Sequence, residues 1–195
     1  IKKNNLPSFN KIDGEYILFV GTLEPRKNLS RLLEAYSLLP FSLKSNYSLI
    51  IVGGKGWGKE NIFSIINNFN ISENVKVLGY LPDRELSKIY QNAYLLVMPS
   101  LYEGFGLPVV EAMSFGVPVV ASNVSSLPEI VGDSGILVDP TNVSSIKDGV
   151  ELLMINKKLR NSLSKDAFQR SQLFSWSNAS KETIDVFVKA FNNNK

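Results

Sequence analysis

The chain has 195 residues, 44% of them hydrophobic and 20% charged, with a formal net charge of +3. That length suits one domain of roughly 100–200 residues with a sizeable core; the composition excludes a disordered chain, and no apolar run approaches the roughly 18 residues of a membrane span. Cysteine and histidine are both absent. Their absence removes disulfides, zinc–thiolate sites, thiol nucleophiles and the usual general base, so any chemistry must use carboxylates, amines, guanidinium, hydroxyls and backbone amides. The near balance of 21 basic and 18 acidic residues argues against a nucleic-acid footprint.

Residues 1–14 are polar, carry Pro7 and lack periodicity, as a linker or tail does, so the folded domain is expected over 15–195. Apolar runs at 16–20, 47–52, 75–78, 94–98, 117–121 and 136–138 alternate with amphipathic stretches at 29–39, 61–69, 83–91, 107–114 and 127–131. The runs are continuously apolar rather than alternating, the pattern of parallel strands covered on both faces. An α/β domain with a doubly wound parallel sheet is expected, its strand C-termini all on one edge. Beyond Asp139 the pattern turns helical, at 143–154, 159–169 and 178–191, with Ser177 as the cap of the last helix.

Ligands of such sheets bind at the strand C-termini, and four turns there stand out. The first carries Gly21, Thr22, Arg26 and Lys27; the basic pair could hold phosphate oxygens, or be a solvated surface pair. The second, Gly53 to Glu60, fits a Walker A loop through Lys59 but has Glu60 where a magnesium-holding hydroxyl belongs; an NTPase and a plain glycine-rich turn are both open. In the third, Tyr80 and Leu81 could wall a flat base or merely close a tight turn, and Asp83 can cap the next helix. The fourth is Glu103-Gly104-Phe105-Gly106-Leu107-Pro108-Val109-Val110-Glu111-Ala112-Met113. Its two glycines and Pro108 describe a sharp turn into a helix whose free amides and dipole suit an anion. Glu103 and Glu111 flank that turn and could accept hydrogen bonds from sugar hydroxyls.

This last segment closely resembles the retaining glycosyltransferases of family 4, which have the GT-B fold and a pair of glutamates separated by seven residues. The likeness extends through residues 20–28, 116–121 and 127–132 and covers roughly 15–190. It implies a Rossmann-like domain that binds a nucleoside diphosphate sugar and forms one half of a hexosyltransferase. By the same resemblance Arg26 and Lys27 hold the diphosphate, Glu103 the donor hexose and Glu111 the ribose. Amides from Gly104 to Leu107 cradle sugar and phosphate, Gly21 and Gly53 approach the donor, and the turn at Tyr80 and Leu81 takes the base. No metal is expected. Thr22 stands where many relatives have arginine, which leaves one phosphate cation fewer, and the wording of this turn leans toward GDP-mannose. The partners implied are an N-terminal acceptor-binding domain missing from this chain and a glycan or lipid-linked acceptor. The last helix, around Ile184, Phe187 and Phe191, is expected to lie against that missing domain. Without a leader segment the location is read as cytoplasmic, or peripheral at the membrane in the complete enzyme. A stand-alone nucleotide-binding module is the competing reading.

Overall fold

A computed structural model describes residues 14–57 and 61–193. The linker read at 1–14, Gly14 apart, lies outside the described residues, as do Lys59 and Glu60 of the Walker-like loop. Six strands, β1 (Glu15–Val20), β2 (Tyr47–Val52), β3 (Val75–Gly79), β4 (Leu95–Met98), β5 (Val119–Ser122) and β6 (Ile136–Val138), form one sheet in the order β3-β2-β1-β4-β5-β6. Every pairing is parallel. This is the Rossmann order, with the direction of winding reversing between β1 and β4, where a crevice forms at the strand C-termini.

The continuous apolar strands are explained by two cores. On one face Ile17, Phe19, Leu49, Ile51, Leu95 and Val97 meet α1 (Leu29–Ser37), α3 (Ile62–Asn68) and α7 (Val143–Ile155). On the other, Leu18, Ile50, Leu96, Met98 and Ala121 meet α4 (Asp83–Gln91), α5 (Leu107–Ser114), α6 (Leu127–Val131) and Ala167 of α8 (Lys157–Ser171). A polar residue at any of these strand positions would be buried on one side or the other, so alternation is not available to this sequence.

Several local expectations are corrected. The short helix α2 (Phe41–Asn46) was not foreseen, because it is a single largely exposed turn after Pro40 without apolar periodicity. β5 starts at Val119 rather than 117, since Pro118 has no amide for the ladder. Asp83 is the first residue of α4 rather than its cap; Pro82 occupies that place. The final helix α9 spans Trp176–Asn193, and Ser175, not Ser177, caps it, its Oγ accepting from the Asn178 amide at 3.0 Å. No residue of α9 is buried, and Ile184, Phe187 and Phe191 are exposed. No helix among the described residues is long and apolar enough to cross a membrane.

Candidate functional site

The crevice between β1 and β4 is closed by a buried charge cluster. After β1 the chain makes a 3-10 turn, Pro25–Lys27, and then Asn28 adopts a left-handed conformation with φ 60°. Asparagine tolerates this better than most residues. Its buried side chain ties the turn down: Nδ2 donates to the carbonyls of Pro99 at 2.8 Å and Pro140 at 2.7 Å, and Oδ1 accepts from Arg31. The Leu101 amide donates to the Arg26 carbonyl at 2.8 Å. The loops after β1, β4 and β6 are thereby locked together, and the side chains they carry are placed by backbone rather than by chance.

Glu103, 6% exposed, sits where these loops meet. Lys27 Nζ donates to its Oε1 at 2.7 Å and Arg26 to its Oε2 at 2.9 Å, while Ser100 Oγ donates to Oε1 at 2.7 Å. Burial alone raises the Glu103 carboxyl. The hydrogen bonds from Lys27 and Ser100, the lysine charge and the Arg26 bond outweigh it and hold the group below the usual carboxylate range. Arg26 is pushed the other way: its desolvation is outweighed by Glu103 and by Glu24, whose Oε1 lies 2.6 Å from Nε. The two cations foreseen in the first turn thus differ. Lys27 is buried on Glu103, its stem crossing the face of Gly21 where a Cβ would meet Lys27 Cε at 3.3 Å. Arg26 is the more exposed, its side chain 41% accessible.

Beyond Glu103 the Gly104–Gly106 turn leads into α5. Gly106 has φ 106°, a left-handed value that favours glycine, and a Cβ there would approach Leu127 Cδ2 to 2.7 Å. Ser125 and Ser126 brace the turn: the Glu103 amide donates to Ser125 Oγ at 3.0 Å, and Ser126 Oγ donates to the carbonyls of Glu103 and Phe105. The amides of Gly104, Phe105, Gly106 and Leu107 find no acceptor among the described residues, which leaves four donors at the positive end of α5.

Glu111, one turn into α5, is exposed and keeps separate company from Glu103. Its Oε2 accepts from the buried Tyr90 hydroxyl at 2.8 Å. Burial and then the Glu111 charge push that phenol far upward, so it stays a donor. Tyr80 stands exposed after β3, and Leu81 is half-buried against the core beside it. Thr22 is exposed. Gly53 continues the sheet, its amide donating to the Gly79 carbonyl at 2.9 Å, and Lys55 bridges to Leu23 in parallel register. The start of the Walker-like segment is therefore strand-like backbone rather than a loop wrapped around phosphates.

Residues 2–170 match the family described as glycosyl transferases group 1. The chain belongs to that family. The O-antigen chain mannosyltransferase B of Escherichia coli is 41% identical over 172 residues, which are 88% of this chain and 45% of that protein. The serotype-specific mannosyltransferase WbdA of Escherichia coli is 33% identical over 187 residues, 95% of this chain and 23% of that protein. Among solved structures, sucrose-phosphate synthase from Thermosynechococcus elongatus superposes with a TM-score of 0.81 at 27% identity, over 93% of this chain and 46% of that one. The chain spans less than half the length of each of these relatives.

Sequence reasoning missed four residues that shape the candidate site. Ser100 stands three positions before Glu103, a spacing that carries no signal in a loop. Tyr90 reaches Glu111 from another helix, and Ser125 and Ser126 come from the turn before α6. Asn28 closes the 20–28 stretch of the resemblance, and an asparagine directly after a short turn is the one legible hint of a left-handed position.

Proposed function

We propose that this chain is the nucleotide-sugar-binding half of a retaining hexosyltransferase, with GDP-mannose as donor and a glycan or lipid-linked acceptor held by a second domain. The observation that carries this reading is the clasp of Arg26 and Lys27 on Glu103 across the β1–β4 crevice, directly beside the four free amides that open α5. Transfer breaks the bond between the sugar's anomeric carbon and the diphosphate, and negative charge grows on the leaving phosphate. Arg26 and the α5 amides are positioned to stabilise it without a metal ion. Lys27 keeps Glu103 ionised and pointed, so that its carboxylate can accept from a hexose hydroxyl. Glu111 accepts from the ribose hydroxyls, with Tyr90 fixing its orientation and leaving Oε1 to the ligand. Gly21, Thr22 and Gly53 line the approach, and Tyr80 and Leu81 flank the base. The names of the two mannosyltransferase relatives favour mannose as the sugar. Alone, the chain is expected to bind nucleotide and transfer little, because one wall of a cleft neither orients an acceptor nor excludes water.

The ribose assignment is tested by comparing GDP with 2′,3′-dideoxy-GDP. Glu111→Ala is expected to weaken GDP roughly tenfold or more, the scale of a lost hydrogen bond to a charged group. Tyr90→Phe, which frees the carboxylate to swing, should weaken GDP about threefold. Neither change should alter binding of the dideoxy nucleotide. Equal losses for both nucleotides would make Tyr90 and Glu111 structural props and remove them from the donor site.

A further inference from the structure

A cavity of about 490 Å³ opens between the turn after β1 and the segment after β2. Its size lies within the roughly 300–1,000 Å³ of small-molecule sites, and its walls are built rather than incidental. Leu23 pairs with Lys55 in a parallel bridge, the Leu23 amide donates to the Gly54 carbonyl at 3.0 Å, and a Cβ on Gly56 would lie 2.5 Å from the Leu23 carbonyl oxygen. The two backbones therefore meet at the closest spacing glycine permits.

The lining is chemically mixed in a way that suits a sugar. Trp57 and Phe63 present exposed rings, 68% and 59% accessible, on a wall shared with Glu24 and Lys55. An aromatic face covers the C–H face of a pyranose, while a carboxylate and an amine take its hydroxyls. Glu24 is prepared for this: its side chain is 10% exposed, Arg26 Nε holds Oε1, and no described residue holds Oε2.

Arg26 connects the cavity to the candidate donor site, with Nε on Glu24 and Nη1 on Glu103. Tyr90 and Glu111, the ribose side of the donor site, lie with the opposite face of the sheet, whereas Leu29 and Ile62 at the base of the cavity belong to the α1–α3 face. We propose that this cavity binds a hexose unit of the acceptor glycan, stacked on Trp57, so that the chain supplies an acceptor subsite as well as a donor site. The assignment rests on the transferase reading above.

The chain has two tryptophans, so a Trp176→Phe protein reports on Trp57 alone. Its fluorescence is to be titrated with α-linked mannotriose and with chitobiose, with and without saturating GDP. GDP binding is to be measured calorimetrically in the same protein and in Trp57→Ala. A saturable fluorescence change that persists with GDP present is expected. Trp57→Ala should weaken saccharide binding about tenfold by ligand-observed NMR, as truncating an aromatic anchor does, with GDP affinity unchanged. Silence with both saccharides overturns the proposal, and so does competition by GDP or loss of GDP binding in Trp57→Ala, either of which makes the cavity part of the nucleotide site. Saccharide binding without any GDP binding would keep the subsite and sink the donor reading instead.

Discussion

Glu103→Gln is expected to destabilise the fold by about 3–5 kcal/mol, the scale on which removing one partner of a buried ion pair leaves the other charge uncompensated. Lys27 is the stranded partner: it is 6% exposed, its ammonium donates to Glu103, and Ser100 beside it is a neutral hydroxyl. Arg26 suffers less, since it retains Glu24 and is partly in water. Adding Lys27→Met to Glu103→Gln should recover part of the loss, and a double-mutant cycle by urea unfolding measures the coupling. The pH dependence carries a defined sign. The Glu103 carboxyl is depressed in the folded protein, so its contribution is complete above the ordinary carboxylate range and disappears as pH falls through its lower folded value. Wild type and Glu103→Gln should therefore differ by a constant amount from neutrality down to that range and converge in stronger acid. A difference that vanishes already near neutrality would mean that the clasp is not formed.

Gly53→Ala is the second large effect, at about 3 kcal/mol, the upper end of ordinary overpacking. A Cβ at Gly53 would stand 1.9 Å from the Gly21 carbonyl oxygen and 2.6 Å from its carbon. Both atoms are backbone at the paired ends of β1 and β2, where the Gly21 amide donates to the Val52 carbonyl at 2.9 Å. Relief requires parting the strands, which displaces Gly21 from the Lys27 stem and loosens the clasp. Gly54→Ala is the control: its Cβ meets nothing closer than Tyr80 Cβ at 4.0 Å, and a change within about 0.5 kcal/mol is expected. Similar urea midpoints for the two variants would contradict the close approach of the strands.

The fold was legible because two-faced burial writes itself into composition. Strands such as 49–52, with Leu49 and Ile51 in one core and Ile50 and Val52 in the other, have to be apolar throughout, and this distinguishes a parallel sheet from a half-solvated one. The site was legible where its geometry needs particular backbones, at Gly106 and at the helix start with Pro108. Its internal wiring was not. Arg26 and Lys27 are adjacent and similar in sequence, yet one is buried on Glu103 and the other reaches solvent, a difference set by the left-handed Asn28 and its bonds to Pro99 and Pro140. The Tyr90–Glu111 pair depends on α4 and α5 lying side by side, which no local pattern states. Helix α9 was legible as a helix, and its apolar residues Ile184, Phe187 and Phe191 are exposed.

The most direct test of the central claim is calorimetric titration of GDP into the chain in the presence of EDTA, repeated with Arg26→Ala and with ATP plus magnesium. The account predicts metal-independent GDP binding that weakens markedly in Arg26→Ala. Binding of ATP only with magnesium, or GDP binding indifferent to Arg26, would contradict a donor site built on the β1–β4 clasp.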